Sequence, residues 1–390
     1  MGWGESFKNA VNSATSAAKT AAQAASNYAK YTYDMVKQGA VMAKDAAVAA
    51  VDATADAIGY GIDQAKLGAI KAREAQAAFQ TGRKKLSPCE AGSPAEACPH
   101  RMAECAELAD ARNKAIMSED TYNTNPTKED KAKLLEKTGY SRLDPVADAE
   151  ELKKQLGISN PKEMLEPDGT DFRARVYKRE LPSGKTEYVV GYRGTQTGAD
   201  WKQNLIQGSG GQSDSYDRAK KLAAVTDAHA EANGNKLSFT GHSLGGGMAS
   251  AASAHTGRPA STFNAAGLNA NTVGGAYPDP PAPTNAYFTP TDPLSALQDN
   301  RKPVLKGITS AAGKIPYVGP LLKAALGAWV MKNEVGGTPV LPKAYGDRRP
   351  LPFPPGRQPP DLSVDGFKEA HGMELVEKGI EAQRKQLGCQ

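Results

Sequence analysis

The feature that most constrains the fold is a tight turn between a short β-rich run and an alanine-rich helical run. Residues 236–249 read KLSFTGHSLGGGMA and contain the pattern G-x-S-x-G at Gly241–Gly245. A strand–turn–helix of this kind lifts the hydroxyl of its central serine out of the sheet. The helix N-terminus offers backbone N–H groups to a developing negative charge. Ser243 is therefore predicted to be a nucleophile, with the N–H of Leu244 as an oxyanion donor. The alternative is a purely structural glycine-rich turn.

The chain around this turn alternates between helical and β-like runs. Two β-like runs flank the turn Pro182-Ser183-Gly184, which indicates a hairpin. The alternation that follows favours an α/β fold with a mainly parallel sheet covered by helices. Helices are predicted near 101–115, 128–137, 144–156 and 214–232, and strands near 172–180, 185–192, 236–240, 261–264 and 285–288.

Further motifs lie upstream of the serine. One β run ends in Arg193-Gly194-Thr195, and residues 200–204 read DWKQN. Together with GHSLGG, these pieces resemble the class 3 (fungal-type) lipases, whose strand ends in F-R-G-S/T before a D-W-x-x-N-like stretch. The resemblance implies an α/β-hydrolase core, and it implies that Thr195 contributes its backbone N–H to the oxyanion hole. The residues alone also allow a plain polar strand end at this place.

The five histidines of the chain can be reduced to one candidate base. In the α/β-hydrolase fold the nucleophile, acid and base follow in the chain order Ser, Asp or Glu, His. His100 and His229 precede the serine, and His242 adjoins it and is expected to point elsewhere. His255 lies about three turns along the elbow helix, before any plausible acid. His371 is thus predicted to be the general base, and a surface histidine is the alternative.

The acid that would orient this base is sought after a later strand. Asp292 follows the predicted strand 285–288 in a TPTDP loop, where a carboxylate can hold the imidazole in the required tautomer. The resembled lipases place their aspartate in such a D-P loop. Asp279, before the strand, and Asp299, further along, are weaker candidates. A plain turn aspartate before proline is the structural alternative.

Composition divides the chain into three parts. Residues 1–80 hold 24 Ala and no Pro, which predicts an all-α, Ala-rich helical region at 1–86. This region packs on its own catalytic domain, docks onto a delivery or partner protein, or lies at a membrane interface. A Pro/Cys-containing junction follows at 87–126, and the hydrolase (lipase) domain is expected at 127–390.

The cysteines leave several pairings open. Cys89, Cys98 and Cys105 lie in the junction, and their spacing lacks the C-x2-C pairs of common zinc sites. A disulfide formed in an oxidising compartment and ordinary free thiols are both compatible with this pattern. Cys389, near the end of the chain, can belong to either class.

Basic and apolar residues are concentrated between the presumed acid and base. Residues 301–360 contain 10 Lys or Arg against Glu334 and Asp347, although the whole chain carries only +5. Two apolar runs lie in the same segment, at 315–322 and 324–331. An insertion of this character fits a cap that settles on an anionic lipid surface. A buried helix with solvated basic flanks is the alternative, and no motif for nucleic-acid binding accompanies the charge.

These features predict a serine esterase that cleaves acyl esters of membrane phospholipids, a phospholipase A type of reaction without metal or organic cofactor. The architecture resembles bacterial type VI secretion lipase effectors, which implies an antibacterial role and an immunity protein. It also implies a secretion-spike or chaperone partner for the N-terminal helices. A triacylglycerol lipase or carboxylesterase is the main alternative, and a non-enzymatic binding protein on a hydrolase scaffold is less favoured.

Hydropathy limits where such a protein works. The mean hydropathy is −0.53, and no run reaches the roughly 18–20 apolar residues of a membrane-spanning helix. The first residues lack the apolar core of a signal peptide. The sequence therefore predicts synthesis in the bacterial cytoplasm and delivery to the target-cell periplasm or membrane by another route.

Overall fold

The computed structural model describes residues 99–194, 213–302, 341–354 and 364–389. It also describes scattered residues between these ranges, namely 305, 306, 310, 323, 324, 327, 328, 330, 331, 339, 357 and 360. The all-α region predicted at 1–86 lies outside the described residues. The same holds for Thr195 and for most of the cap predicted at 301–360.

The described chain alternates helices and strands as the sequence predicts. The strands are β1 (Ser141–Arg142), β2 (Ala174–Glu180), β3 (Thr186–Tyr192), β4 (Lys236–His242), β5 (Ala260–Phe263), β6 (Thr284–Phe288) and β7 (Asp347–Pro350). The helices with described bounds are α1 (Pro99–Asp120), α2 (Lys128–Thr138), α3 (Ala149–Leu156), α4 (Pro161–Leu165), α5 (Asp214–Ala232), α6 (Leu244–Thr256), α7 (Pro293–Asp299), α8 (Val364–His371) and α9 (Met373–Leu387).

The strands form one sheet in the order β1 to β7. Strands β1, β2 and β3 pair antiparallel, whereas β3 to β7 pair parallel. The predicted α/β class with a mainly parallel sheet is confirmed. Since the carboxyl ends of parallel strands share one edge, the ends of β3, β4, β5 and β6 lie there, which is where α/β proteins bind ligands.

Two of the observed strands are not predicted by the sequence pattern. Strand β1 has two residues, and β7 reads DRRP, which lacks the apolar alternation of a half-buried strand. Strand β7 is held by its pairing with β6, from Asn285 opposite Asp347 to Phe288 opposite Pro350. It lies within the segment predicted as a cap, so these four residues belong to the sheet instead.

Helices cover both faces of the sheet because consecutive strand residues point to opposite sides. Tyr188 and Val190 pack with α5 and α6, whereas Val189 between them packs with Met117 of α1. Helices α1 and α9 contribute to a further apolar cluster with β5 and β6. Burial of such side chains contributes about 1.5–3 kcal/mol each.

Helix α1 is part of the hydrophobic core, although the sequence predicts a Pro/Cys-containing junction in this part of the chain. The helix extends past the predicted 101–115 on both sides and packs against β4 and α9. A disulfide between Cys105 and Cys389 joins α1 to the residues after α9. For this pair the disulfide alternative is therefore observed, while Cys89 and Cys98 lie outside the described residues. The domain boundary at 126 stays a prediction.

Candidate active site

Ser243 lies at the turn between β4 and α6, at the carboxyl edge of the sheet. Its φ of 59° falls in a region that residues with a side chain rarely adopt. The turn is fixed on both sides: the Ser243 N–H donates to Phe263 O at 3.0 Å, and the Ala266 N–H donates to Ser243 O at 2.9 Å. A strained backbone conformation of this kind is typical of functional positions.

The glycines around Ser243 allow a close approach of β3, β4 and α6. A Cβ placed on Gly245 would lie 2.1 Å from Tyr192 O, and one on Gly241 would lie 2.3 Å from Gly245 O. Both neighbours are backbone atoms that cannot rotate away. The close approach of these backbone atoms therefore requires glycine at both positions.

His371 lies between Ser243 and Asp292. Its Nε2 is 2.9 Å from Ser243 Oγ, and its Nδ1 is 2.6 Å from Asp292 Oδ1. An ionised carboxylate only accepts hydrogen bonds, so Nδ1 carries the proton and Nε2 is left to accept from the serine hydroxyl. The structure therefore brings together the three residues that the sequence singled out, in the order that acyl transfer requires.

The position of Asp292 directly before α7 orients its carboxylate towards His371. Its side chain is fully buried, and its carboxylate accepts hydrogen bonds from Ser295 N at 2.7 Å and Leu294 N at 3.4 Å. These donors fix the orientation of the carboxylate. The rival acids are placed differently: Asp279 is exposed, and Asp299 pairs with Lys343 at 3.0 Å.

The oxyanion side of the site is described in part. Leu244 is the first residue of α6, and the first N–H groups of a helix have no partner within it. Thr195 lies outside the described residues, and its role stays a prediction. The preceding residue, Gly194, lies against the turn, because a Cβ placed on it would be 3.2 Å from Ser243 Cβ. The end of β3 is thus next to the nucleophile.

The backbone of His371 is held by two side chains that sequence reasoning did not assign to the site. The His371 carbonyl accepts hydrogen bonds from His242 Nε2 at 2.8 Å and from Asn264 Nδ2 at 3.0 Å. His242 points away from the reacting hydroxyl, as predicted, but its ring centroid lies 4.7 Å from that of His371. A polar residue directly after the buried strand β5 was the available signal for Asn264.

A further contact extends this support to the loop after β6. The Thr289 N–H donates to Asn264 Oδ1 at 2.9 Å, and the Thr289 hydroxyl donates to Ala370 O at 2.9 Å. The loop that carries Asp292 and the helix that carries His371 are therefore tied to the same amide side chain. These contacts fix the position of His371 relative to Asp292.

His242 is neutral in this setting. Burial lowers the pKa of His242 well below its usual value, and the charge of His371 lowers it further. The hydrogen bond to the His371 carbonyl opposes these effects only in part. A neutral His242 places no positive charge beside the His371 ring.

Several basic residues of the segment 301–360 have partners within the protein. Arg348 bonds Asp299 at 3.1 Å and stacks over the Phe288 ring at 4.2 Å. Arg349 pairs with Asp347 at 2.8 Å, and Arg357 pairs with Glu369 and Glu374. These arginines and Lys343 pair with carboxylates of the same chain. The pairing reduces the positive charge that is available to a lipid surface.

A serine on a strand–turn–helix elbow beside a paired histidine and aspartate is an arrangement typical of hydrolases that act by acyl transfer. The family is given by comparison: residues 113–354, more than half of the chain, match the Tle-like phospholipase domain, and the chain belongs to this family. The resemblance to lipases is confirmed at this level. The matched region contains Ser243 and Asp292, whereas His371 lies beyond it.

The chain is also similar to a curated relative, "Extracellular phospholipase A1" of Serratia liquefaciens. The two are 33% identical over 168 residues, which cover 43% of this chain and 46% of the relative. The chain thus spans about half the length of the curated relative it matches. Among the residues with described structure, no helix has the length and hydropathy needed to cross a bilayer.

Proposed function

We propose that the protein is a serine esterase of the phospholipase A type that hydrolyses acyl esters of membrane phospholipids. The observation that carries the proposal is the hydrogen-bonded series from Ser243 Oγ through His371 to the buried carboxylate of Asp292. The family and the phospholipase A1 relative support the choice of phospholipids as substrate. The elbow after β4 and the chain order Ser, Asp, His support an α/β-hydrolase fold of the class 3 lipase type.

The proposed reaction is a two-step acyl transfer. Ser243 Oγ attacks the ester carbonyl while His371 Nε2 takes its proton, and Asp292 stabilises the resulting imidazolium. The N–H groups of Leu244 and Thr195 hold the oxyanion. His371 then protonates the departing lysophospholipid oxygen. In the second step His371 deprotonates a water, which attacks the acyl-enzyme and releases the fatty acid.

The experiment uses vesicles of a phospholipid with two different acyl chains and measures the products by mass spectrometry. We expect one fatty acid and one lysophospholipid in equal amounts, with Ser243→Ala reducing turnover by more than about 1000-fold. Ser250→Ala is a matched control, because its buried hydroxyl bonds only Gly246 O within α6. Equal product release by Ser243→Ala would contradict the proposal. Cleavage of tributyrin without phospholipid products would select a triacylglycerol lipase or carboxylesterase.

We further propose that the enzyme acts as an antibacterial type VI secretion effector in the periplasm of a neighbouring cell, with a cognate immunity protein. The disulfide Cys105–Cys389 supports action in an oxidising compartment. The extracellular relative supports export. Expression in a Gram-negative host with and without an added signal peptide tests this role. Toxicity that depends on Ser243 and on export supports it, and harmless periplasmic enzyme with full lipase activity would contradict it.

A further inference from the structure

Tyr122, two residues after the end of α1, lies against the side of His242 that faces away from the base. Its hydroxyl oxygen is 3.0 Å from His242 Nδ1, and the two rings meet edge to face with centroids 6.0 Å apart. The residue is half-buried and lies in the turn after the helix that the disulfide joins to the C-terminal part of the chain. Nothing in the acyl-transfer steps above uses this hydroxyl.

The positions of the protons follow from the contacts. The His371 carbonyl can only accept, so His242 Nε2 must carry a proton to bond it at 2.8 Å. A neutral imidazole has one N–H, which leaves Nδ1 as an acceptor. The Tyr122 hydroxyl must therefore donate to Nδ1. The acceptor at His371 O thus selects the Nε2–H tautomer of His242, and the Tyr122 hydroxyl stabilises that tautomer by donating to Nδ1.

Loss of the Tyr122 hydroxyl removes the donor that stabilises this tautomer. The alternative neutral tautomer places a lone pair of Nε2 against the lone pairs of the His371 carbonyl. The bond from His242 to the carbonyl is then weakened, whereas the bond from Asn264 Nδ2 at 3.0 Å is unchanged. A small displacement of the base is enough to slow proton transfer, because the reacting atoms must lie within hydrogen-bonding distance.

We propose that Tyr122 and His242 are positioning residues that fix the main chain of His371 through the series Tyr122 Oη–H to His242 Nδ1 and His242 Nε2–H to His371 O. The inference rests on the proposed function, because it concerns the same base. It assigns a part of the proposed active site to the turn after α1, which lies far from Ser243 along the chain. In this scheme Tyr122 acts through His242 and takes no part in the bond changes.

The test measures the rate at which a fluorophosphonate labels Ser243. Ser243 Oγ forms a bond to phosphorus, the P–F bond breaks, fluoride leaves, and His371 takes the serine proton. We expect Tyr122→Phe to lower the labelling rate constant roughly 10-fold, while every chain is still labelled at the end point. A misfolded fraction would instead lower the end point. Unchanged rate would overturn the inference.

Substitutions of His242 provide a rescue and a double-mutant test. The amide N–H of His242→Gln can replace the Nε2 donor to His371 O, whereas His242→Leu has neither a donor nor an acceptor. We expect His242→Gln to label faster than His242→Leu. In the His242→Leu background, Tyr122→Phe is expected to cause no further loss, since its partner atom is absent. An undiminished second loss would mean that Tyr122 acts elsewhere, for example through Gly194, and would overturn the inference.

Tyr177→Phe is the matched control for docking of α1. The Tyr177 hydroxyl lies 2.8 Å from Asp120 Oδ2 and 3.0 Å from Met117 O, so it holds the same helix without contacting His242. We expect its labelling rate to match the wild type. A loss equal to that of Tyr122→Phe would assign the effect to helix docking and overturn the inference. Failure of the wild-type enzyme to label at Ser243 would instead contradict the proposed function.

Discussion

Ser243 and His371, the proposed nucleophile and base, are held in place in different ways. The backbone of Ser243 is bonded or crowded by residues in the turn and near the ends of the adjacent strands. His371 is 128 residues away in sequence, and side chains from β4, the end of β5 and the loop after β6 bond its ring and its carbonyl. A further bond joins His242 of β4 to Tyr122 in the turn after α1. A short motif thus holds the proposed nucleophile, whereas the proposed base depends on several distant parts of the domain.

The largest expected effect comes from a substitution of the residue that contacts His371 Nδ1. Asp292→Asn leaves the shape of the loop but replaces the acceptor for His371 Nδ1–H with a group that can present a donor, which favours the wrong tautomer. We expect kcat on a soluble ester to fall about 10000-fold with little change in stability. The exposed Asp279→Asn is the control and should stay near wild type. An equal loss in that control would show that Asp292 is not the acid.

Removal of the disulfide tests how much a link between distant parts of the chain contributes to the stability of the domain. Cys105 and Cys389 are 284 residues apart, and in the chain-entropy model a cross-link over that length stabilises by about 5 kcal/mol. We expect the double variant Cys105→Ser with Cys389→Ser to lose up to this free energy of unfolding. Urea unfolding measures the loss.

Treatment with a reductant distinguishes the contribution of this disulfide from that of the other two cysteines. We expect it to lower the stability of the wild type to that of the double variant and to leave the variant unchanged. If reductant destabilised the variant as much as the wild type, the stabilisation would reside with Cys89 and Cys98.

On the elbow side, Gly245→Ala tests the local packing. The new Cβ would lie 2.1 Å from Tyr192 O, so β3 and α6 must separate. We expect a loss of about 3 kcal/mol in the free energy of unfolding, measured by urea denaturation. Gly184→Ala, with a φ of 75° but open space around it, is the control and should lose only about 1 kcal/mol. Equal losses would mean that backbone conformation, and not close approach, governs the elbow.

The smallest expected effect is a pH dependence that belongs to His242. Its pKa is depressed in the folded protein, so below about pH 6.5 the unfolded chain binds a proton that the folded chain refuses. The stability contributed by neutral His242 is therefore present above pH 6.5 and lost as the pH falls. The slope is at most about 1.4 kcal/mol per pH unit.

His242→Gln should remove this slope. We would compare the free energies of unfolding of wild type and variant between pH 7 and pH 5. Parallel curves would show that His242 titrates alike in the folded and unfolded chains, in conflict with its burial.

The sequence located the strands of the central sheet because their apolar runs are buried on both faces. Each predicted strand overlaps an observed one, with ends displaced by at most two residues. Strand β7 was missed because its polar residues pair with β6 through the backbone and direct their charges to Asp299 and Asp347. Tyr122 was missed because nothing near it in sequence marks a residue that meets the site across 120 positions.

The sequence by itself determined the strand–turn–helix pattern around Ser243, the proposed nucleophile, and the single histidine compatible with the chain order. These follow from local geometry and from the direction in which the chain is wound. Only the tertiary structure decided which aspartate meets that histidine, which cysteine pairs with Cys389, and which side chains hold the base. Those contacts join residues far apart in sequence, and packing of the sheet and its helices sets the distances between them.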